Sequence, residues 1–247
     1  MRTGISEIFS SIQGEGRYVG CRQLFIRLIG CNMDCPYCDT NELAHEKVPC
    51  VLEPAAGYTG SLELANPVSW DELMPYISFR LKQPHHSISI TGGEPLLHVE
   101  TVKELSRLIA PYKLPLFLET NGTLPEHLAQ VIDDVQMVSM DMKLPSDTGE
   151  DHWEAHSRFL QTAVQAQKDI YVKIVVSDES ARAEFDRAIS IIEAVDPAVL
   201  LVLQPITPMG GLHPAKPQKL LDWQSRAMAR LHDVRVIPQT HRMMNVL

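Results

Sequence analysis

Short runs of branched apolar residues recur along the chain, separated by longer stretches whose apolar positions repeat every three or four residues. The short runs predict strands at 21–29, 87–91, 116–120, 137–141, 170–176, 199–204 and 234–237. Helices are predicted between them. Ser69-Trp70-Asp71-Glu72 has the S-x-x-E form of a capping box and opens a helix running to about Lys82. Val102, Leu105, Leu108 and Ile109 share one face of the next, and 124–132, 151–165, 180–195 and 215–231 supply four more. Strands alternating with helices imply parallel βαβ units with right-handed crossovers. Seven such strands and six helices fall slightly short of an eightfold barrel, an architecture that places ligands at the carboxyl ends of its strands.

The polar motifs fall at those ends. Cys31, Cys35 and Cys38 follow the first strand at C-x3-C-x2-C spacing, and three thiolates on one short loop can converge on a soft metal centre. A cubane iron–sulfur cluster normally takes four cysteines, so three would leave one iron open to another ligand. A structural zinc site is the alternative, with His45 available as its fourth ligand. Thr91-Gly92-Gly93-Glu94-Pro95 follows the second strand, where glycines let a ligand approach the backbone closely. Glu119 to Thr123, Asp141-Met142-Lys143 and Gln204-Pro205-Ile206 close the next strands and offer polar atoms at the same rim. Before the first strand, Gly14 and Gly16 allow a turn; read from the residues alone, this is an N-terminal hairpin with an exposed Glu15.

Composition narrows the class. The 247 residues are 45% apolar and 21% charged, as expected of a soluble globular chain with a large core. A net charge of −9 argues against a nucleic-acid surface and leaves a small-molecule substrate as the better fit. Residues 1–13 hold one Arg and no sustained apolar run, so a signal peptide is not expected, and no stretch approaches the roughly 20 apolar residues of a membrane span. A cytoplasmic protein follows, with five cysteines serving as metal ligands or thiols rather than disulfides. Cys21 at a strand start and Cys50 in a loop read as free thiols. The whole of 1–247 reads as one domain, with residues 41–67 a long inserted loop carrying Pro49, Pro54, Gly57, Gly60 and Pro67. His85, His86, His98 and His127 read as surface residues, and Trp70, Trp153 and Trp223 as helix packing.

C-x3-C-x2-C with Tyr37 before the third cysteine, followed a strand later by Gly-Gly-Glu-Pro, resembles the radical S-adenosylmethionine (SAM) enzymes. The resemblance implies a partial, open (β/α)6 barrel with a short N-terminal extension. It also implies a 4Fe-4S cluster on Cys31, Cys35 and Cys38 whose open iron chelates SAM, and reductive cleavage to a 5′-deoxyadenosyl radical. Glu7 to Gly16, including Ser11-Ile12-Gln13-Gly14-Glu15-Gly16, then Phe25 to Leu28, Cys38-Asp39-Thr40 and the closing Gln239 to Asn245 resemble, within that superfamily, the 7-carboxy-7-deazaguanine synthases. That likeness runs from about Glu7 to the terminus. It implies ring contraction of 6-carboxy-5,6,7,8-tetrahydropterin to 7-carboxy-7-deazaguanine with loss of ammonia, a lyase reaction in queuosine and 7-deazapurine biosynthesis, with SAM regenerated.

Carried over residue by residue, the resemblance implies Thr40 as a Mg2+ ligand beside the substrate carboxylate, and Arg27 paired with that carboxylate. Arg27 alternates with Phe25, which predicts an interior position. Ile12, Gln13 and Gly14 would read the pterin's amide edge, and Thr91 would touch the substrate. Gly93, Glu94, Asp141, Lys143 and Gln204 would contact SAM. Asp141-Met142-Lys143 departs from the Ser-Pro-Lys of many members, although an Asp accepts a hydroxyl hydrogen bond as a Ser does. The terminal carboxylate of Leu247 is a candidate acceptor at the pterin edge. A homodimer and an electron donor such as flavodoxin or ferredoxin are implied as partners. Two readings compete: a glycyl-radical activase, whose D-G-P-G-I-R-like segment is replaced here by Gln-Gly-Glu-Gly, and a non-catalytic zinc-binding module.

Overall fold

The structure is a computed structural model that describes residues 1–38, 40, 48–54, 61–208, 211–244 and 246. The described elements, in chain order, are β1 (Arg2–Thr3), β2 (Ile5–Ile12), β3 (Arg22–Leu28), β4 (Cys50–Leu52), β5 (Leu62–Leu64), β6 (Val68–Ser69), α1 (Trp70–Arg80), β7 (Ser87–Gly92) and α2 (Val99–Ile109). They continue with β8 (Leu116–Thr120), α3 (Pro125–Val131), β9 (Met137–Asp141), α4 (Pro145–Thr148), α5 (Trp153–Gln165), β10 (Asp169–Val176), α6 (Arg182–Val195), β11 (Leu200–Pro205), α7 (Pro217–Met228), β12 (Val234–Val236) and α8 (Thr240–Met244). Each of the seven expected strands is present. The start of α1 is the expected capping box: the Ser69 hydroxyl accepts from Glu72 N at 3.4 Å while Ser69 N donates to Glu72 Oε2 at 2.8 Å.

The main sheet runs β12-β11-β10-β9-β8-β7-β3-β2-β4-β5. From β3 to β12 all neighbours are parallel and follow chain order without reversal. Right-handed crossovers in an unreversed order put every connecting helix on one face, so the sheet has a helix-covered outer side and an inner side, and it does not close into a barrel. Residue parity follows at once, because successive strand side chains point to opposite faces. Ile88, Ile90, Leu118, Val138, Met140, Val172, Ile174, Leu201 and Leu203 enter the core under the helices. The alternate residues Phe117, Met137, Tyr171, Leu200 and Val202 form a separate apolar plug at the amino-terminal end of the inner face. Farther along the same parity the residues turn polar, and these line the site.

The N-terminal segment forms the expected hairpin, β2 pairing antiparallel with β3, and β4 and β5 add beyond it. Three expectations needed correction. Cys50 lies buried in a strand, and the described parts of the 41–67 connection are not a plain loop. Glu15 is not exposed, since it pairs with Lys173 at 2.6 Å. His85, His98 and His127 are half-buried rather than superficial; His98 and His127 hydrogen-bond the carbonyls of Ile29 at 2.6 Å and Leu96 at 2.7 Å, tying loops at the rim, and His85 Nε2 lies 2.9 Å from Ser10 Oγ, while His86 is exposed as expected. The three tryptophans are buried as expected, Trp223 stacked on Phe185 at 4.3 Å. Among the described residues no helix is long and apolar enough to cross a membrane.

Candidate active site

At the carboxyl ends of the parallel strands a cavity encloses about 1260 Å³ including its open mouth. Its polar lining comes from the inner-face parity: Arg27 on β3, Thr91 on β7, Glu119 on β8, Ser139 and Asp141 on β9, Lys173 on β10 and Gln204 on β11. The expected interior position of Arg27 is therefore the observed one.

One wall is the cysteine loop. Cys31, Cys35, Cys38 and Thr40 all line the cavity, and Thr40 Oγ1 lies 3.6 Å from Cys38 Sγ. The loop is pinned from two sides. Glu94 N donates to Gly30 O at 2.8 Å, and Asn32 is held through Asn121 Nδ2 to its Oδ1 at 2.9 Å and its own Nδ2 to Thr123 Oγ1 at 2.8 Å. Gly93 presses against this loop so closely that an added Cβ would overlap Gly30 O and stand 3.0 Å from Cys31 N. Burial raises the thiols of Cys31 and Cys35, the latter to about 11, so both are protonated at neutral pH until a metal takes the proton's place. Among the described residues no three His, Cys, Asp or Glu side chains form a ready-made metal-binding group. His45, the fourth ligand of the zinc alternative, lies outside the described residues.

The opposite wall is built on Glu119. Its carboxylate accepts from Gln13 Nε2 at 2.8 Å, Ser89 Oγ at 2.8 Å and Thr91 Oγ1 at 3.1 Å. Gln13 in turn donates to Gln23 at 2.9 Å, and its Oε1 accepts from Glu15 N at 3.0 Å. Ile12 and Gly14 border the same wall, and Gly14 cannot carry a side chain because the His241 ring fills the space. Arg27 is anchored through Nε to Glu7 Oε1 at 2.6 Å, with its guanidinium 5.9 Å from the Phe9 ring centre.

Charged groups span the floor between the walls. Lys143 Nζ donates to Asp141 Oδ2 at 2.8 Å and sits 5.0 Å from the Tyr37 ring centre. Burial alone would raise the Asp141 carboxyl, but the charges of Lys143 and Lys173 outweigh it and hold the group below its ordinary value. Burial would likewise depress Lys143, and Asp141 reverses that. Two buried acceptors in this part of the chain have no partner among the described residues: Asp141 Oδ1 and Gln204 Oε1.

Of the residues singled out in the sequence, Ile12, Gln13, Gly14, Arg27, Cys31, Cys35, Cys38, Thr40, Thr91, Gly93, Asp141, Lys143 and Gln204 all line this one cavity. Glu94 is placed differently. It is fully buried, outside the lining, and its carboxylate accepts from Leu96 N, Thr120 Oγ1 and Asn121 N at 2.8–2.9 Å, which joins the ends of β7 and β8. Leu247 lies outside the described residues. Lys173 and Ser139 escaped the sequence reading; a lone Lys in the apolar run Asp169–Val176 was the available signal.

The chain matches the family profile "Radical SAM superfamily" over residues 26–190. It is 41% identical to the 7-carboxy-7-deazaguanine synthase of Geobacter sulfurreducens, covering 98% of this chain and 97% of that one. It is 33% identical to the one from Archaeoglobus fulgidus, with 100% of both chains covered. Among solved structures, QueE from Escherichia coli shares the fold at a TM-score of 0.62 and 21% identity, covering 98% of this chain and 95% of that one.

Proposed function

This chain belongs to the radical SAM superfamily and, within it, to the 7-carboxy-7-deazaguanine synthases, and from that membership we propose how its residues divide the work of a ring contraction in 7-deazapurine biosynthesis. The substrate is 6-carboxy-5,6,7,8-tetrahydropterin and the products are 7-carboxy-7-deazaguanine and ammonia, which makes the enzyme a carbon–nitrogen lyase. A 4Fe-4S cluster with SAM on its open iron, when bound, supplies one-electron cleavage of the sulfonium and a carbon radical that takes hydrogen from C6 of the pterin.

The residues fit that pair of groups. Three thiols border one cavity wall and neither Cys21 nor Cys50 joins them in the described lining, which suits a cluster with an open iron. Gly93 lines the cavity while its missing side chain lets the cysteine loop pack at Gly30 and Cys31, and Gln204 Oε1 and Asp141 Oδ1, without partners among the described residues, are acceptors suited to an adenine amine and a ribose hydroxyl. Lys143 stands on the same side to meet a carboxylate. Glu94 acts from behind, holding the β7 and β8 ends against the cysteine loop, so its part in SAM binding is one of positioning.

The Glu119 wall takes the pterin. Gln13, fixed by Glu119, Gln23 and the Glu15 amide, presents its neighbours' backbone to the amide edge, and Thr91 borders the ring. Glu7 binds only Nε of Arg27, and the remaining guanidinium donors pair with the substrate carboxylate. Mg2+ between that carboxylate and Thr40 would complete its binding, one protein oxygen plus substrate being a usual Mg2+ arrangement. The five free cysteines fit a reducing compartment, the cytoplasm, where a flavodoxin or ferredoxin donates the electron; the enzyme works as a homodimer.

The observation that carries this reading is the convergence of the cysteine loop and the Glu119 wall on one cavity. The test is anaerobic turnover of reconstituted protein with SAM, dithionite, Mg2+ and the tetrahydropterin, with chromatography for the product. Product that disappears in Cys31→Ala supports the reading. Cleaved SAM without product would remove the pterin as substrate and leave the radical chemistry standing.

A further inference from the structure

Lys173 is the one charged residue in the stretch 170–176 of β10, and it lines the cavity. Its Nζ donates to Glu15 Oε2 at 2.6 Å and stands 3.3 Å from Asp141 Oδ2. Glu15 belongs to the segment that carries Gln13 and Gly14, while Asp141 closes β9 beside Lys143. Without a cation between them the two carboxylates would repel, and the Asp141 charge already pushes the Glu15 carboxyl up against the stronger pull of Lys173. Glu15 has a second attachment: its Oε1 accepts from Gln239 Nε2 at 2.8 Å, just before α8, whose first residue Thr240 hydrogen-bonds Gly14 O at 2.9 Å. One ammonium thus joins the floor of the SAM side to the pterin-side segment and, through it, to the C-terminal helix.

We propose that Lys173 is a positioning residue that keeps the SAM-binding and pterin-binding walls in register, so that the radical source and C6 of the substrate meet. The proposal rests on the reading of the two walls given above. Lys173 touches neither reacting atom; it sets where Asp141 and Glu15 stand. Loss of its charge leaves Asp141 held by Lys143 alone and Glu15 by Gln239 alone. Both walls then relax independently. A displacement of about 1 Å between reacting groups costs on the order of 100-fold in rate, and a radical generated out of reach of C6 takes a hydrogen atom from the excess reductant or another C–H bond and leaves as 5′-deoxyadenosine with methionine, instead of being returned to SAM.

The experiment uses the full, reconstituted chain and its Lys173→Met and Lys173→Arg variants. SAM affinity is measured first without pterin, then pterin affinity, then 5′-deoxyadenosine released per product formed. In Lys173→Met each affinity falls by about tenfold, the usual scale of coupling between sites, and the released 5′-deoxyadenosine per product rises by at least as much. Lys173→Arg keeps the charge but replaces a point ammonium with a planar fork, and the same ratio rises by a smaller factor with the fold intact. A lower turnover number with an unchanged ratio and unchanged SAM affinity would overturn the proposal, because a purely structural residue predicts that pattern. If Lys173→Met cannot be purified folded, Lys173→Arg decides by the same ratio. Failure of the wild-type protein to bind the pterin would overturn the substrate assignment instead, and SAM affinity in the absence of pterin would still judge Lys173.

Discussion

His156 gives a quantitative handle on how the site is held from behind. Its ring is fully buried on α5 against the Asn121–Gly122 turn, and Nε2 lies 3.1 Å from Asn121 O, so Nε2 carries the hydrogen. Nδ1 has no partner. Charging the ring would put a second N–H there with nothing to accept it, and burial holds the imidazole down to about 4 from its ordinary 6.5. Because the folded value lies below the unfolded one, this group's contribution is complete above 6.5 and is lost as pH falls toward 4. Worked from those two values, the loss is about 2 kcal/mol between about pH 7 and pH 5, and about 3 kcal/mol once both are passed. Buried carboxylates titrate in the same range, so the quantity to read is a difference between proteins. His156→Gln keeps an N–H for Asn121 O and carries no ionisable ring. In urea denaturation at the two pH values, wild-type stability falls by about 2 kcal/mol more than the variant's. Equal pH slopes in the two proteins would refute the argument. Asn121 also holds Asn32 in the cysteine loop, so the wild type sheds its cluster faster in mild acid than His156→Gln does.

Further outcomes follow from the same geometry. Gly93→Ala forces a methyl group into Gly30 O and the cysteine loop; cluster iron retained after reconstitution drops well below wild type while the circular dichroism of the fold is kept, and full iron content would count against the close packing. Gln204→Leu removes an unpaired acceptor and weakens SAM by about tenfold with pterin affinity unchanged, as expected for one lost hydrogen bond of about 1 kcal/mol or somewhat more. Glu119→Gln replaces an acceptor of three donors by a group that also donates, so pterin affinity falls at least tenfold while SAM affinity stays put. A parallel loss of SAM affinity there would show that the two walls are not separate.

The parallel frame was legible because it rests on local pattern: apolar runs of period two, helical stretches between them, and a motif after each strand. Thr91, Asp141 and Gln204 could be placed at one rim from strand ends alone, and Arg27 from its alternation with Phe25. Long-range partners carry no such period. The ion pair of Glu15 with Lys173 joins residues 158 apart in sequence; Glu15 looks locally like an ordinary surface charge, and the apolar run around Lys173 marks it as unusual without naming its partner. Glu94 shows the same limit within a motif, since its sequence position fixes the turn but not that its carboxylate points inward to Thr120 and Asn121. Strand β4 was hidden by its length: Cys50–Leu52 is three residues between prolines, too short to show alternation, and it is stabilised by pairing with β2 on one side and β5 on the other. His156 was silent because a buried neutral histidine and an exposed one are the same letter.

Turnover of tetrahydropterin deuterated at C6 tests the central claim most directly, because it asks whether the two walls bring the radical source to that carbon. The reaction is run anaerobically with unlabelled SAM and a reductant, and SAM and product are examined by mass spectrometry. The account predicts 7-carboxy-7-deazaguanine together with deuterium accumulating on the 5′ carbon of recovered SAM. Product formed with no label in SAM, or SAM cleaved to unlabelled 5′-deoxyadenosine with the pterin untouched, would contradict it.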